Sequence, residues 1–129
     1  KYIEMLKKFI IELKKISKSV IFVGPRINPD IELNQKNLMI FLKQPEKLDK
    51  YDKYLKYYKL DSLLEKKFKN IDKLNYFSLI NLLKFDIKRD FLYNNKLTFS
   101  DLDHYSNYGE VIFGEKIVNE IYNKYIKKN

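Results

Sequence analysis

There is no cysteine in this sequence, which excludes disulfides and thiolate metal sites while leaving either redox compartment open. Glycine and proline occur only three times each, so long elements and few tight turns are predicted. No apolar run approaches the roughly 20 residues of a membrane span, and no secretory hydrophobic region is present. Arginine is scarce, with only Arg26 and Arg89, and histidine occurs once, at His104.

What is abundant is lysine, giving a formal net charge of +9. Clustered cations attract phosphates. Here the lysines run along the whole chain, and the forked guanidinium that suits phosphate and base recognition is nearly missing. No nucleic-acid partner is therefore expected, and the lysines read as solvated faces. A hydrophobic content of 45%, with 16% aromatics, is far from the composition of disordered chains and suffices for a core.

Apolar residues Ile3, Leu6, Phe9, Ile10, Leu13 and Ile16 recur at the spacing of one helical face, predicting a helix over residues 2–16. Val20-Ile21-Phe22-Val23 is apolar on both faces and stops at Gly24-Pro25, as a buried parallel strand does. Helix then buried strand is the second half of a βαβ crossover, so a preceding strand is expected upstream of Lys1, which is not a methionine. Residues 25–31 form a loop at the strand's C-terminal end, where open α/β sheets place ligands.

A short helix is predicted between Leu33 and Leu42, another starts at Pro45, and a third covers Leu60–Phe68 with Asp61 or Ser62 near its cap. Tyr51, Tyr54, Tyr57 and Tyr58 follow helical spacing and read as a packed face. A second strand, Leu74–Leu79, follows the Asp72-Lys73 turn and should lie beside the first. An irregular stretch from 81 to 96 ends in the turn Asn94-Asn95-Lys96. Ser106 then caps a long helix through Ile126, with Val111, Ile112, Ile117, Val118, Ile121 and Tyr125 on its apolar face. No repeat or linker interrupts residues 1–129, which are taken as one piece. The fold class is α/β, with parallel strands near 19–24 and 74–80, flanking helices and a long C-terminal helix.

Chemistry concentrates in Leu97-Thr98-Phe99-Ser100-Asp101-Leu102-Asp103-His104-Tyr105-Ser106-Asn107-Tyr108-Gly109. A carboxylate three residues before a histidine can hold the imidazole through Nδ1 and leave Nε2 for proton transfer. The same residues also suit a plain capping region, in which Asp101 and Asp103 close the turn and favour the helix start.

The run Asp101-Leu102-Asp103-His104-Tyr105-Ser106, followed by Gly109 and an amphipathic helix, resembles the last block of SGNH hydrolases. It is most similar to the SGNH domains attached to membrane-bound O-acyltransferases that acetylate bacterial surface polysaccharides. Upstream, Val20-Ile21-Phe22-Val23-Gly24-Pro25 with Pro29 beyond resembles the family's strand that ends in a Val-Gly-Pro loop.

The resemblance implies an incomplete SGNH-like, flavodoxin-like three-layer fold. It also implies an O-acyltransferase or esterase acting on acyl esters of cell-surface glycans through an acyl-serine, with no cofactor and no metal. Asp101 would orient and His104 act as base, with Asp103 and Ser106 supporting. The implied setting is an extracytoplasmic domain of a bacterial membrane protein, meeting the membrane only through upstream segments.

The departures are equally specific. The Gly-Asp-Ser block with the nucleophile, and the Gly and Asn blocks that donate to the oxyanion, have no counterpart here. None of Ser17, Ser19, Ser62, Ser78, Ser100 and Ser106 sits on a strand-to-helix elbow. Cysteines that often precede the family's His block are also missing, leaving the 81–96 stretch without a staple. These residues alone are therefore expected to be inactive. An apolar sheet edge should pair with the missing N-terminal part or a second copy. The alternative from another class is a noncatalytic α/β binding or scaffold module.

Overall fold

A computed structural model gives the fold and describes every residue except Leu33, Asp52, Lys53, Asp103, Lys128 and Asn129, with Tyr51 described in its backbone only. The chain is mixed α/β. In order come α1 (Tyr2–Ile16), β1 (Val20–Val23), α2 (Gln35–Lys43), a 3₁₀ helix (Pro45–Tyr51), α3 (Leu55–Phe68), β2 (Leu74–Phe77), α4 (Leu79–Leu83), α5 (Ile87–Asp90), β3 (Leu92–Tyr93), β4 (Lys96–Leu97) and α6 (Asn107–Ile121). A π-helical turn (Tyr122–Ile126) extends α6. Two units result, one from Lys1–Arg26 and Tyr54–Asn81, the other from Ile27–Lys53 and Leu82–Asn129.

In the first unit β1 and β2 pair in parallel, in register from Val20 opposite Leu74 to Val23 opposite Phe77. Parallel neighbours need a long crossover, here residues 24–73. Alternation sends Val20 and Phe22 of β1, with Leu74 and Tyr76 of β2, into a core shared with Ile10 of α1 and Leu64 and Phe68 of α3. The Phe22 and Phe68 rings meet edge to face at 4.9 Å. β1 is less buried than its composition predicts: Val20, Ile21 and Phe22 are half-buried, and Val23 is 42% exposed. The helical layer of this unit covers the face bearing Val20 and Phe22, whereas Ile21 and Val23 point to the other. On α1, Ile10 is buried and Ile3, Leu6 and Leu13 half-buried, but Phe9 and Ile16 are exposed. β2 ends at Phe77, two residues before the predicted limit, because Leu79 already belongs to α4.

Helix α3 starts at Leu55 rather than Leu60, so Asp61 is internal and caps nothing. It is 5% exposed. Its carboxylate accepts one hydrogen bond from the Tyr76 hydroxyl and another from Ser78 Oγ, each 2.7 Å. Burial, then the Asp61 hydrogen bond, pushes the Tyr76 phenol well above the usual tyrosine range, so it stays protonated and donating. Gly24 makes room for this cluster: a Cβ there would lie 2.7 Å from Asp61 Oδ1 and closer to the Tyr76 oxygen. Ser78 Oγ also accepts from Asn81 N at 3.1 Å, fixing the start of α4. Asp61→Ala removes the common acceptor of two hydroxyls and should cost about 2 kcal/mol in urea denaturation. Asp61→Asn, which keeps one acceptor oxygen, should cost less.

The core of the second unit is rich in phenylalanine. Phe91 and Phe99 are fully buried and stack at 6.2 Å; Phe85, Tyr105 and Phe113 surround Phe99 at 5.8, 4.9 and 6.5 Å. Asn34 caps α2, accepting from Asn37 N at 2.8 Å. Residues 81–96, read as irregular and unstapled, are instead built from α4, α5 and the β3–β4 hairpin. A polar brace orders them. Asp90 is 3% exposed and receives Arg89 Nε at 2.7 Å and Asp86 N at 2.8 Å, while Arg89 Nη2 donates to Lys84 O at 2.8 Å. Asp86 in turn caps α5 through Arg89 N. The predicted turn is a two-residue hairpin loop with Asn94 and Asn95 both in the left-handed region (φ 50° and 60°), the conformation whose twist suits tight hairpins.

Helix α6 begins where Ser106 predicts. Gly109 and Phe113 are its buried positions, with Ile112, Ile117, Ile121 and Tyr125 half-buried. Val111 and Val118, expected on the inner face, are exposed, because they lie about half a turn around the helix from Gly109 and Phe113, which set that face.

Candidate functional site

Strand β4 leads straight into the segment that carries Asp101 and His104. Thr98 is fully buried; its hydroxyl donates to Asp90 O at 2.6 Å and its amide to Phe91 O at 3.1 Å. Its carbonyl accepts from Ser106 N at 2.9 Å. Phe99 and Tyr105 form an antiparallel bridge, and Ser100 N donates to His104 O at 2.9 Å. The ends of the 100–104 loop are thus pinned by backbone bonds and by the Phe99–Tyr105 ring contact, and this loop carries Asp101 and His104.

Asp101 and His104 are brought together. His104 Nδ1 lies 2.9 Å from Asp101 Oδ2 and 3.0 Å from Oδ1. The His104 amide also donates to Oδ1, at 2.7 Å. One carboxylate therefore closes the turn and orients the ring, so the capping and orienting roles coexist. With Nδ1 engaged, Nε2 is the nitrogen left for proton transfer. The His104 side chain is 75% exposed and that of Asp101 56%, so the pair stands at the surface of its unit.

Asp103 lies outside the described residues. Ser106 takes a structural part: its hydroxyl donates to Leu97 O at 2.6 Å and accepts from Gly109 N at 3.1 Å, tying the start of α6 to β4. Ser106→Ala should cost about 1–2 kcal/mol in urea denaturation and shorten α6 at its first turn, seen as faster amide exchange at Gly109.

Other serine hydroxyls point elsewhere. Ser17 Oγ donates to Leu13 O, Ser78 Oγ to Asp61, and Ser100 Oγ to His104 O and Tyr105 O. Among the described residues no serine hydroxyl is bonded to the His104 ring, and no group of three or more His, Cys, Asp and Glu is placed to hold a metal. No helix of the described residues is long and apolar enough to cross a membrane.

The Asp61 cluster escaped sequence reasoning although a signal was present: Asp61, Leu64 and Phe68 share helical spacing, which puts the carboxylate on the buried face. The Asp90 brace had no such signal, since an adjacent Arg-Asp pair is ordinary on any surface. No family model, curated protein or solved structure matches this chain.

Proposed function

We propose that this chain supplies the Asp/His half of a Ser-His-Asp triad in an SGNH-like enzyme that transfers or hydrolyses O-acyl groups on cell-surface glycans. The observation that carries this reading is the His104 Nδ1 contact with both Asp101 oxygens, in a loop pinned at both ends and followed at once by a capped helix. The parallel β1–β2 pair, with α1 and α3 on one face, suits part of a flavodoxin-like three-layer sheet. The serine and the oxyanion donors come from residues outside these 129, as does the extracytoplasmic, membrane-attached setting.

In the reaction His104 Nε2 takes the proton of the serine hydroxyl as its oxygen attacks the acyl carbonyl. The Asp101 carboxylate stabilises the imidazolium so formed. His104 then protonates the departing alkoxide, and the acyl group passes from serine to water or to a sugar hydroxyl. The test is acetyl-ester turnover by the complete domain, compared with its His104→Ala variant; equal rates overturn the proposal.

A second reading, a noncatalytic binding or scaffold module, is favoured by the bond from His104 N to Asp101, which gives the carboxylate a turn-closing task that needs no catalysis. It predicts that His104→Ala changes no activity of the complete protein.

A further inference from the structure

Beside the dyad loop lies a pair of tyrosines that the triad does not use. Tyr93 ends β3 and Tyr108 sits in the first turn of α6; their ring centroids are 6.4 Å apart, tilted by 46°. Lys96 is the register partner of Tyr93 across the hairpin, and its ammonium stands 5.0 Å over the Tyr108 ring. Tyr93 is 38% exposed, Tyr108 half-buried, and Asn94, Asn95 and Lys96 are exposed. These rings are not core: the aromatic core of this unit is the Phe85, Phe91, Phe99 and Phe113 group.

The same bonds that pin the dyad loop hold this surface. Ser106 joins α6 to Leu97 of β4, and Thr98 joins β4 to Phe91 beside β3. Tyr108 follows His104 by four residues, so backbone reach limits their Cα separation to about 14 Å, little more than two sugar rings.

We propose that Tyr93, Lys96 and Tyr108 form a stacking subsite for a pyranose ring of a glycan. The C–H face of a pyranose is apolar and weakly positive, matching the negative face of a phenol ring. Its rim of hydroxyls needs donors and acceptors, which the Lys96 ammonium and the Asn94 and Asn95 amides supply. This assignment rests on the glycan-ester reading for its ligand class and adds to it where the acceptor chain lies.

The test is NMR titration of the 129-residue chain with cellohexaose, chitohexaose and hexagalacturonate. The expected result is that at least one of them shifts the amides of Tyr93, Lys96 and Tyr108, and that Tyr93→Ala and Tyr108→Ala each weaken that binding about tenfold. The corresponding Phe variants, which keep the ring, should bind within about twofold of the parent chain. Absence of shifts with all three sugars, or unchanged affinity in both Ala variants, overturns the subsite. Binding here needs no serine and no turnover, so the two proposals fail separately: His104→Ala should retain the sugar shifts while abolishing turnover in the complete domain.

Discussion

On the triad proposed above, replacing His104 by alanine in the complete domain should lower kcat for acetyl-ester cleavage by about 10⁴-fold and leave stability within about 0.5 kcal/mol of wild type. The two halves of this expectation come from different observations. The loss in rate follows from the triad proposed above, in which His104 takes the serine proton with the Asp101 carboxylate behind it. The unchanged stability follows from exposure: the loop is closed by the Phe99–Tyr105 bridge and the Ser100–His104 backbone bond, neither of which uses the ring. Asp101→Asn sharpens the test. Its amide oxygen can still accept from His104 N and keep the turn, but its charge is gone and its NH₂ competes for Nδ1. A fall of about 10³–10⁴-fold in kcat, with native circular dichroism, is expected. A scaffold role predicts no change of activity in either variant.

The largest expected effect on folding is at Gly109. A Cβ added there would lie 2.8 Å from the Thr98 carbonyl carbon and closer still to its oxygen. Thr98 cannot yield, because its hydroxyl, amide and carbonyl are all bonded and it is fully buried. Gly109→Ala must therefore lift the first turn of α6 away from β4, breaking the Ser106 N to Thr98 O bond. A loss of about 3 kcal/mol in urea denaturation is expected. Gly114 is the internal control: it lies on the same helix with nothing within 4 Å of its would-be Cβ, and alanine there should be neutral or stabilising.

Periodic patterns made much of the fold legible. Helix α1, both strands with their parallel pairing, and α6 with its Ser106 cap lie within a few residues of where spacing, β-branched runs and cap chemistry place them. What stayed hidden has physical reasons. Residues 55–59 carry a helical period only in tyrosines set among lysines, which does not join the apolar period of Leu60–Phe68, so Asp61 looks like a start signal. The 81–96 stretch has helices of only four or five residues and strands of two, too short for any period, and its order comes from a buried carboxylate. The Asp101–His104 pair was readable because both partners lie three residues apart in one turn. The tyrosine pair was not, since residues 93 and 108 meet only once the hairpin and α6 are joined.

The Arg89–Asp90 brace has one more consequence. A segment stapled by cysteines depends on the thiol–disulfide poise around it and comes apart when electrons are supplied. A guanidinium against a carboxylate, with carbonyl and amide bonds at its flanks, has no reduction potential. Residues 84–97 should accordingly keep the same amide protection in dithiothreitol as in air, whatever the surroundings in which the chain matures.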